Sequence, residues 1–264
     1  MDLIGKKFLF NNEVFSCDDF LKVYSRSFKN VYEVVRVVNS EILFWNGHYN
    51  RLINSILKFS GKNLDNIDFK DKVYLVISKN EIINGNIKIE IIFKDNGECD
   101  VYIYPIKFYY PDEKIGVEVI TANFERKNPS IKTYDYDFKN LAQKLIDKNN
   151  VYEIILVNRD GFITEGSRTN VYFVKGNEFF TAPENLVLNG VTRINVNNII
   201  STLGFKLVEE SVRNDCIDEF DGCFLTSTSS NVLPVNKIND IYMKSCENFY
   251  ISQVMNRFKE FLKK

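Results

Sequence analysis

Five short stretches of the chain carry side chains that could do chemistry if the fold presents them. Lys132 in PSIKTYDY is flanked by Ile131 and by the aromatics Tyr134 and Tyr136. Partial desolvation there would make the neutral amine accessible for attack on an aldehyde, although a surface lysine laying its stem along apolar neighbours has the same pattern. Glu165 in TEGSRTN directly precedes a glycine at the end of an otherwise apolar strand. A carboxylate in that position needs a partner to stay charged at low cost, unless it faces solvent before a bulge. In NGVTR, residues 189–193, Gly190 stands before a predicted helix, and the amides of Val191 and Thr192 could meet an anion with the helix dipole behind them. An ordinary glycine-containing helix entry, with Thr192 near the cap, reads the same way. TSTSSN, residues 226–231, contains Thr228 and Ser229 and follows the apolar CFL; it could bind phosphate or carboxylate or be a plain polar turn. Arg51 in HYNRL is either a fixed cation for an anion or an exposed helix arginine.

Strands and helices must position these residues, and the chain is patterned for both. KKFLF, Asn11-Asn12 and EVFS read as a hairpin, as do YEVVRVV, Asn39-Ser40 and EILFW. DDFLKVYSRSF and HYNRLINSILKF have apolar residues at helical spacing, among them Leu52, Ile53, Ile56 and Leu57. VYLVIS, IKIEIIF and CDVYIYPI read as strands. The pattern then breaks from YYPDEK through Asn128-Pro129, which predicts a linker over 111–128 between an N-terminal α/β lobe, 1–110, and a second α/β lobe, 129–264. In the second lobe DFKNLAQKLIDKNN is spaced as a helix, and EIILVN, Asp160-Gly161 and FITE as strand, tight turn and strand. A hairpin of NVYFV and EFFTA follows, then a helix near Val191 to Leu203, strand-like FKLVEESV and CFLTS, and a C-terminal helix carrying Phe249, Val254, Met255, Phe258 and Phe261.

Composition narrows the function classes. With 264 residues, 45% of them hydrophobic, the chain can bury one large core or two modest ones. Its 34 basic and 35 acidic residues are interspersed, which argues against nucleic acid as a partner. MDLIGKKFLFNNEVF has no basic region followed by an apolar run, and no stretch of about 18 apolar residues occurs, so neither export nor a membrane is expected. Five cysteines, at 17, 99, 216, 223 and 246, are odd in number and form no CxxC pair. They indicate neither a disulfide framework nor a zinc site and fit a reducing cytoplasm. His48 is the one histidine, so mechanisms that need two are excluded, and no GxSxG elbow accompanies it.

Taken in order, YEVVRV, HYNRL, IKTYDY, ILVNRDGFITEGSRTNVYFV, NGVTR and TSTSSNVLPV resemble the class IV aminotransferases, the family of branched-chain and D-amino-acid transaminases and of aminodeoxychorismate lyase. The resemblance implies a two-lobed α/β (α+β) fold of type IV, with a smaller N-terminal lobe and a larger C-terminal pseudo-barrel lobe, pyridoxal 5′-phosphate in the cleft between them, and a homodimer. It implies that Lys132 forms the Schiff base with the cofactor and shuttles the proton between the substrate Cα and the cofactor C4′. Glu165 would bond the pyridine nitrogen, Tyr136 the ring hydroxyl, and Arg51, the amides of Val191 and Thr192, and Thr228 the phosphate. Tyr32 and Ser229 would line the substrate pocket, and His48 would be structural. The implied reaction is ping-pong transfer from a branched-chain or D-type amino acid to a 2-oxo acid. Elimination of pyruvate to give p-aminobenzoate, as in the family's lyase, would use the same lysine. A non-catalytic descendant should have lost Lys132 or Glu165, and both are present.

Three departures from the family pattern accompany the match. Where the family has an arginine or histidine for the substrate carboxylate, CDVYIYPIKFYYP offers only tyrosines and Lys107. SRSFKN replaces the glycine-rich GDG before YEV, and Asp135 replaces the asparagine usual before Tyr136.

Overall fold

The computed structural model describes residues 3–263. The chain divides into two compact units, one of Met1–Tyr109 with Ile131–Tyr136, the other of Tyr110–Ser130 with Asp137–Lys264.

The first unit is an antiparallel sheet of β1 (Lys7–Phe10), β2 (Glu13–Ser16), β3 (Asn30–Val38), β4 (Glu41–Ile42), β5 (Gly85–Phe93) and β6 (Cys99–Ile106), in the order β2-β1-β6-β5-β3-β4. Its helices are α1 (Phe20–Val23), α2 (Trp45–Ser60) and α3 (Phe69–Asn80). Strand alternation sorts β5 into two faces. Ile87, Ile89 and Ile91 join the core that Leu52 and Ile56 of α2 and Val73, Val76 and Ile77 of α3 complete, whereas Ile92 packs with Phe8, Phe20, Tyr102 and Tyr104. Lys88 and Glu90 share that second face, opposite Tyr104 and Tyr102 of β6 respectively.

Three local expectations fail here for identifiable reasons. VYLVIS is not a strand but the middle of α3: its β-branched run hides a helical spacing of buried Phe69, Val73, Val76 and Ile77, and Asp68 caps the helix by accepting from the Asp71 amide. EILFW pairs only over Glu41–Ile42, because Phe44 turns into the left-handed region (φ 52°) and α2 starts at Trp45. DDFLKVYSRSF yields only a 3-10 turn over Cys17–Asp19 and the four residues of α1. Tyr24 leaves the helix with ψ 120°, its ring stacked on Phe20 at 4.9 Å and its hydroxyl donating to Glu90.

The second unit contains β7 (Val117–Asn123), β8 (Glu153–Val157), β9 (Ile163–Gly166), β10 (Asn170–Lys175), β11 (Glu178–Thr181), β12 (Lys206–Glu209), β13 (Gly222–Ser227), β14 (Asn231–Ile238) and β15 (Ile241–Tyr242). The path β10-β13-β14-β7-β8-β9 returns to β10 through the pairing of Asn170 with Glu165, which closes a barrel; β11 and β12 extend it outward from β10. Three further α-helices follow, α4 (Tyr136–Asn149), α5 (Val191–Thr202) and α6 (Phe249–Lys259), the division between units falling after the first residue of α4.

The predicted linker at 111–128 therefore differs from the structure. Val117 and Val119 are buried as alternate residues of β7, which lies between β14 and β8 in parallel to both. Polar residues around this short strand mask a period of two. The segment Ile131–Tyr136 likewise groups with the first unit rather than the second, because Ile131 packs against the first unit's core.

Candidate active site

Backbone bonds fix the position of Lys132. Its carbonyl accepts from the Tyr32 amide at 2.9 Å, and its own amide donates to Ser55 Oγ of α2 at 3.3 Å. Two residues on, Tyr134 exchanges bonds with Asn30: its amide donates to Asn30 Oδ1 at 2.8 Å and its carbonyl accepts from Nδ2 at 3.2 Å. The segment thus lies along the start of β3, and the Lys132 amine sits 4.9 Å from the centroid of the Tyr32 ring. Tyr32, Tyr134 and Tyr136 form a row, with centroids 5.6 Å and then 4.7 Å apart.

Arg51 is held on the same unit by Glu33, the residue after Tyr32. Arg51 Nε donates to Oε2 at 2.8 Å and Nη2 to Oε1 at 2.7 Å, a bidentate pair. His48, one turn earlier on α2, is buried with Nδ1 3.2 Å from Glu33 Oε1. Burial alone would push the Glu33 carboxyl up; the Arg51 guanidinium and neighbouring His48 more than offset it and hold Glu33 well below the usual carboxylate range. Burial lowers His48 and so favours its neutral form. A pH dependence follows. Because Glu33 keeps its charge to lower pH folded than unfolded, its stabilisation is fully present above its ordinary value of 4.5 and is lost as the pH falls through the folded value. Arg51→Met, which strands the buried carboxylate, should cost about 3–5 kcal/mol at neutral pH. In urea titrations the gap to wild type should narrow as the pH drops below that ordinary value. A gap that stayed constant with pH would show that Glu33 carries no charge in the folded state.

A second buried carboxylate, Glu90, organises the far face of β5. Its Oε2 accepts from Lys88 Nζ at 3.0 Å and from Tyr104 at 2.7 Å, and its Oε1 accepts from Tyr24 at 3.2 Å. Burial first and the Glu90 charge second push the Tyr24 and Tyr104 hydroxyls far up, so both stay protonated and donate. The Tyr24 hydroxyl lies 2.9 Å from that of Tyr136. Either oxygen can be the donor in that bond, so Tyr136 is tied to the Glu90 network through Tyr24. The Lys88 amine lies over the rings of Tyr134, Tyr32 and Tyr104 at 4.6, 5.1 and 5.6 Å. Sequence reasoning passed over Lys88 and Glu90. The available signal was two opposite charges two residues apart in the otherwise isoleucine-rich IKIEIIF.

In the second unit Asn170 is the hub. Its backbone pairs with Glu165 of β9 on one side and with Thr226 of β13 on the other. Its side-chain Nδ2 donates to the Leu188 carbonyl at 2.8 Å, and its Oδ1 lies 2.2 Å from where a Cβ on Gly190 would stand, so a larger residue before α5 would displace the Asn170 amide from that bond. One end of the barrel therefore gathers Glu165, the start of α5 and the strand leading into TSTSS. Gly190 is the N-cap of α5 and supplies no side-chain cap; the first helical bond runs from Ile194 N to Gly190 O, above the buried residues Val191 and Thr192. Thr226 Oγ1 is buried with no hydrogen-bond partner among the described residues. Beyond it, Thr228 and Ser229 occupy the tip of a turn closed by the Ser227 and Ser230 hydroxyls, 2.7 Å apart.

Glu165 has the partner that its burial demands: Oε1 accepts from Arg126 Nη1 at 3.0 Å and Oε2 from the Leu188 amide at 3.0 Å. The turn after it is anchored by a second buried carboxylate, Glu153, which accepts from the Ser167 hydroxyl at 2.6 Å and from the Ser167 and Arg168 amides at 3.2 Å. A Cβ on Gly166 would stand 2.1 Å from Thr169 Oγ1 and 3.2 Å from the Glu153 side chain, so a larger residue would push these anchors aside. Lys139 of α4 donates to the Ser167 carbonyl at 2.5 Å, and burial is the main cause that lowers its amine to about 8. Arg126, Asn170, Glu153 and Lys139 were not singled out in the sequence. Arg126 stood in the presumed linker, and the others look like strand and helix residues of no special type.

Of the residues expected at the site, Tyr32, Arg51, Lys132 and Tyr136 lie in the first unit, and Glu165, Val191, Thr192, Thr228 and Ser229 in the second. The family described as "Amino-transferase class IV" matches residues 30–238.

The chain belongs to the class IV aminotransferases.

It is accordingly a transaminase of a pyridoxal-phosphate family. This class IV aminotransferase is 27% identical over 223 residues to the D-alanine aminotransferase of Bacillus licheniformis, which covers 79% of this chain and 78% of that protein. It is 29% identical over 219 residues to the "Probable branched-chain-amino-acid aminotransferase" of Thermotoga maritima, which covers 80% of this chain and 77% of that protein. The branched-chain amino acid aminotransferase of Escherichia coli shares its fold, with a TM-score of 0.84 at 20% identity over 98% of this chain and 95% of that one. These likenesses bear out the mixed α/β fold of type IV.

Proposed function

We propose that the chain moves an amino group between a branched-chain or D-type amino acid and a 2-oxo acid, with pyridoxal 5′-phosphate attached through Lys132. The observation that carries this is the barrel end built around Asn170. It combines a buried carboxylate, a helix start with no side-chain cap and a buried hydroxyl without a partner among the described residues, a donor set that fits a phosphorylated, protonated pyridine. Glu165, fixed by Arg126 and Leu188, holds the ring nitrogen's proton. The amides of Val191 and Thr192, Thr228 and the Glu33-oriented Arg51 take the phosphate dianion. Tyr136 takes the ring hydroxyl as a hydrogen-bond partner. When bound, the cofactor supplies an electron sink for the substrate Cα carbanion. Lys132 supplies the attacking amine and then carries the proton at Cα, while Tyr32 and Ser229 face the substrate. The same proposal includes a homodimer in solution.

The test is direct. Purified protein loaded with the cofactor should show a visible band that borohydride fixes as a pyridoxyl group on Lys132, located by peptide mass. A donor panel of L-leucine, L-valine, D-alanine and D-glutamate with 2-oxo acids then assigns the class. A fixed chromophore with release of pyruvate and an aromatic amine from aminodeoxychorismate, and no amino transfer, would replace this reading by the lyase; absence of any chromophore would end it.

A further inference from the structure

We propose that Arg26 receives a carboxylate of the substrate, in place of the arginine or histidine that this chain lacks at the family's usual position. The inference rests on the transaminase reading. Arg26 belongs to SRSFKN, the segment that replaces the family's glycine-rich turn. Its guanidinium carbon sits 3.8 Å from the centroid of the Tyr136 ring, at the end of the Tyr32–Tyr134–Tyr136 row whose other end carries the Lys132 amine.

Tyr136 is a firm platform. It packs edge-on against Phe28 at 5.5 Å, leans on Tyr134, and is bonded to Tyr24, which Glu90 holds in turn. The Arg26 guanidinium engages the Tyr136 ring through its face and also bonds the Tyr136 hydroxyl; its remaining N–H groups stay in the plane that meets a carboxylate. Arg26 is exposed, and among the described residues it makes no ion pair with a carboxylate.

The other cations of this unit's tyrosine row are committed. Arg51 is bidentate on Glu33. Lys88 is bonded to Glu90, so an incoming carboxylate would meet a neutral pair. Lys132 has the nucleophile's role. Tyr24 and Tyr104 give their protons to Glu90, so their oxygens present lone pairs that repel an anion. Arg36, on the same face of β3, is bonded to Asn86 and lies over the Phe108 ring, which leaves Arg26 as the exposed positive charge at the end of this row.

The test uses the cofactor-loaded full chain, with Arg26→Gln and Arg26→Lys. Two unreactive acids serve as probes, isovalerate with one carboxylate and glutarate with two, their binding followed by calorimetry and by the shift of the cofactor band. Arg26→Gln should weaken binding about ten- to a hundredfold, the scale of a lost charge-assisted hydrogen bond, and raise donor KM by the same factor. kcat and the cofactor band should be retained, and Arg26→Lys should recover part of the loss. Weakening of both acids assigns the carboxylate next to Cα; weakening of glutarate alone assigns a distal carboxylate, and then only dicarboxylate donors lose KM. Wild-type binding of both acids by the glutamine variant would overturn the proposal, as would loss of the cofactor band in that variant, which would mean that Arg26 merely supports Tyr136. Absence of a borohydride-fixed chromophore in the wild type is a different failure and strikes the transaminase reading itself.

Discussion

Lys132→Ala is expected to reduce amino transfer by at least about four orders of magnitude and to abolish borohydride fixation of the cofactor. The amine has two tasks, attack and proton transfer, and positioned acid–base catalysis alone is worth about 10² to 10⁴. The fold should not notice the change. Lys132 is held through its backbone, by the Ser55 hydroxyl and the Tyr32 amide, neither of which depends on the side chain. Stability should therefore stay within about 1 kcal/mol of wild type. The rival amine is Lys139, which burial lowers to about 8, so that much of it is neutral in mildly alkaline buffer. Its nitrogen is bonded to the Ser167 carbonyl at 2.5 Å, and this bond orders the turn after Glu165. Lys139→Ala should accordingly keep the pyridoxyl label on Lys132 while losing some thermal stability. A label found on Lys139 in the wild-type peptide map would transfer the nucleophile's role to that residue.

The parts of this molecule that were legible in the sequence are those where local chemistry and tertiary demand agree. NGVTR announced a helix start, and α5 begins at Val191 with Gly190 as its N-cap, close against the Asn170 side chain. TEGSRTN announced a carboxylate needing a partner, and Glu165 has Arg126. What escaped was whatever depends on the far side of a fold. VYLVIS carries strand-forming residues at positions where burial at helical spacing wins. β7 is recognisable only once β8 and β14 flank it. Lys88 and Glu90 look like an exposed alternation until α1 and Tyr24 cover that face of the sheet. Charge compensation across strands leaves no trace in spacing, and this is why the ionic network of the first unit, with its consequence for Arg26, came only from the structure.

Glu165→Gln should lower kcat about 10²- to 10³-fold, the usual effect of removing one preorganised charge or donor at a reacting centre, and leave donor KM within a few-fold. Glutamine matches the shape of glutamate but has no charge with which to keep a proton on a bound pyridine nitrogen, so the loss falls on the chemical step rather than on substrate binding. Arg26→Gln makes the opposite split, a raised KM with retained kcat, and the two variants together separate cofactor activation from substrate recognition. Stability adds a second readout. Both Glu165 oxygens accept bonds, from Arg126 and from the Leu188 amide, and a glutamine can satisfy only one of them as an acceptor while turning its NH₂ toward the other donor. Arg126, largely buried, would lose its counter-charge, and some destabilisation should accompany the fall in kcat. Arg126→Met in the wild-type background should destabilise similarly yet leave the Glu165 charge in place, and so retain more of kcat. If Glu165→Gln kept wild-type kcat, the carboxylate would serve only to hold Arg126 and the Leu188 turn, and the ring-nitrogen assignment would fall.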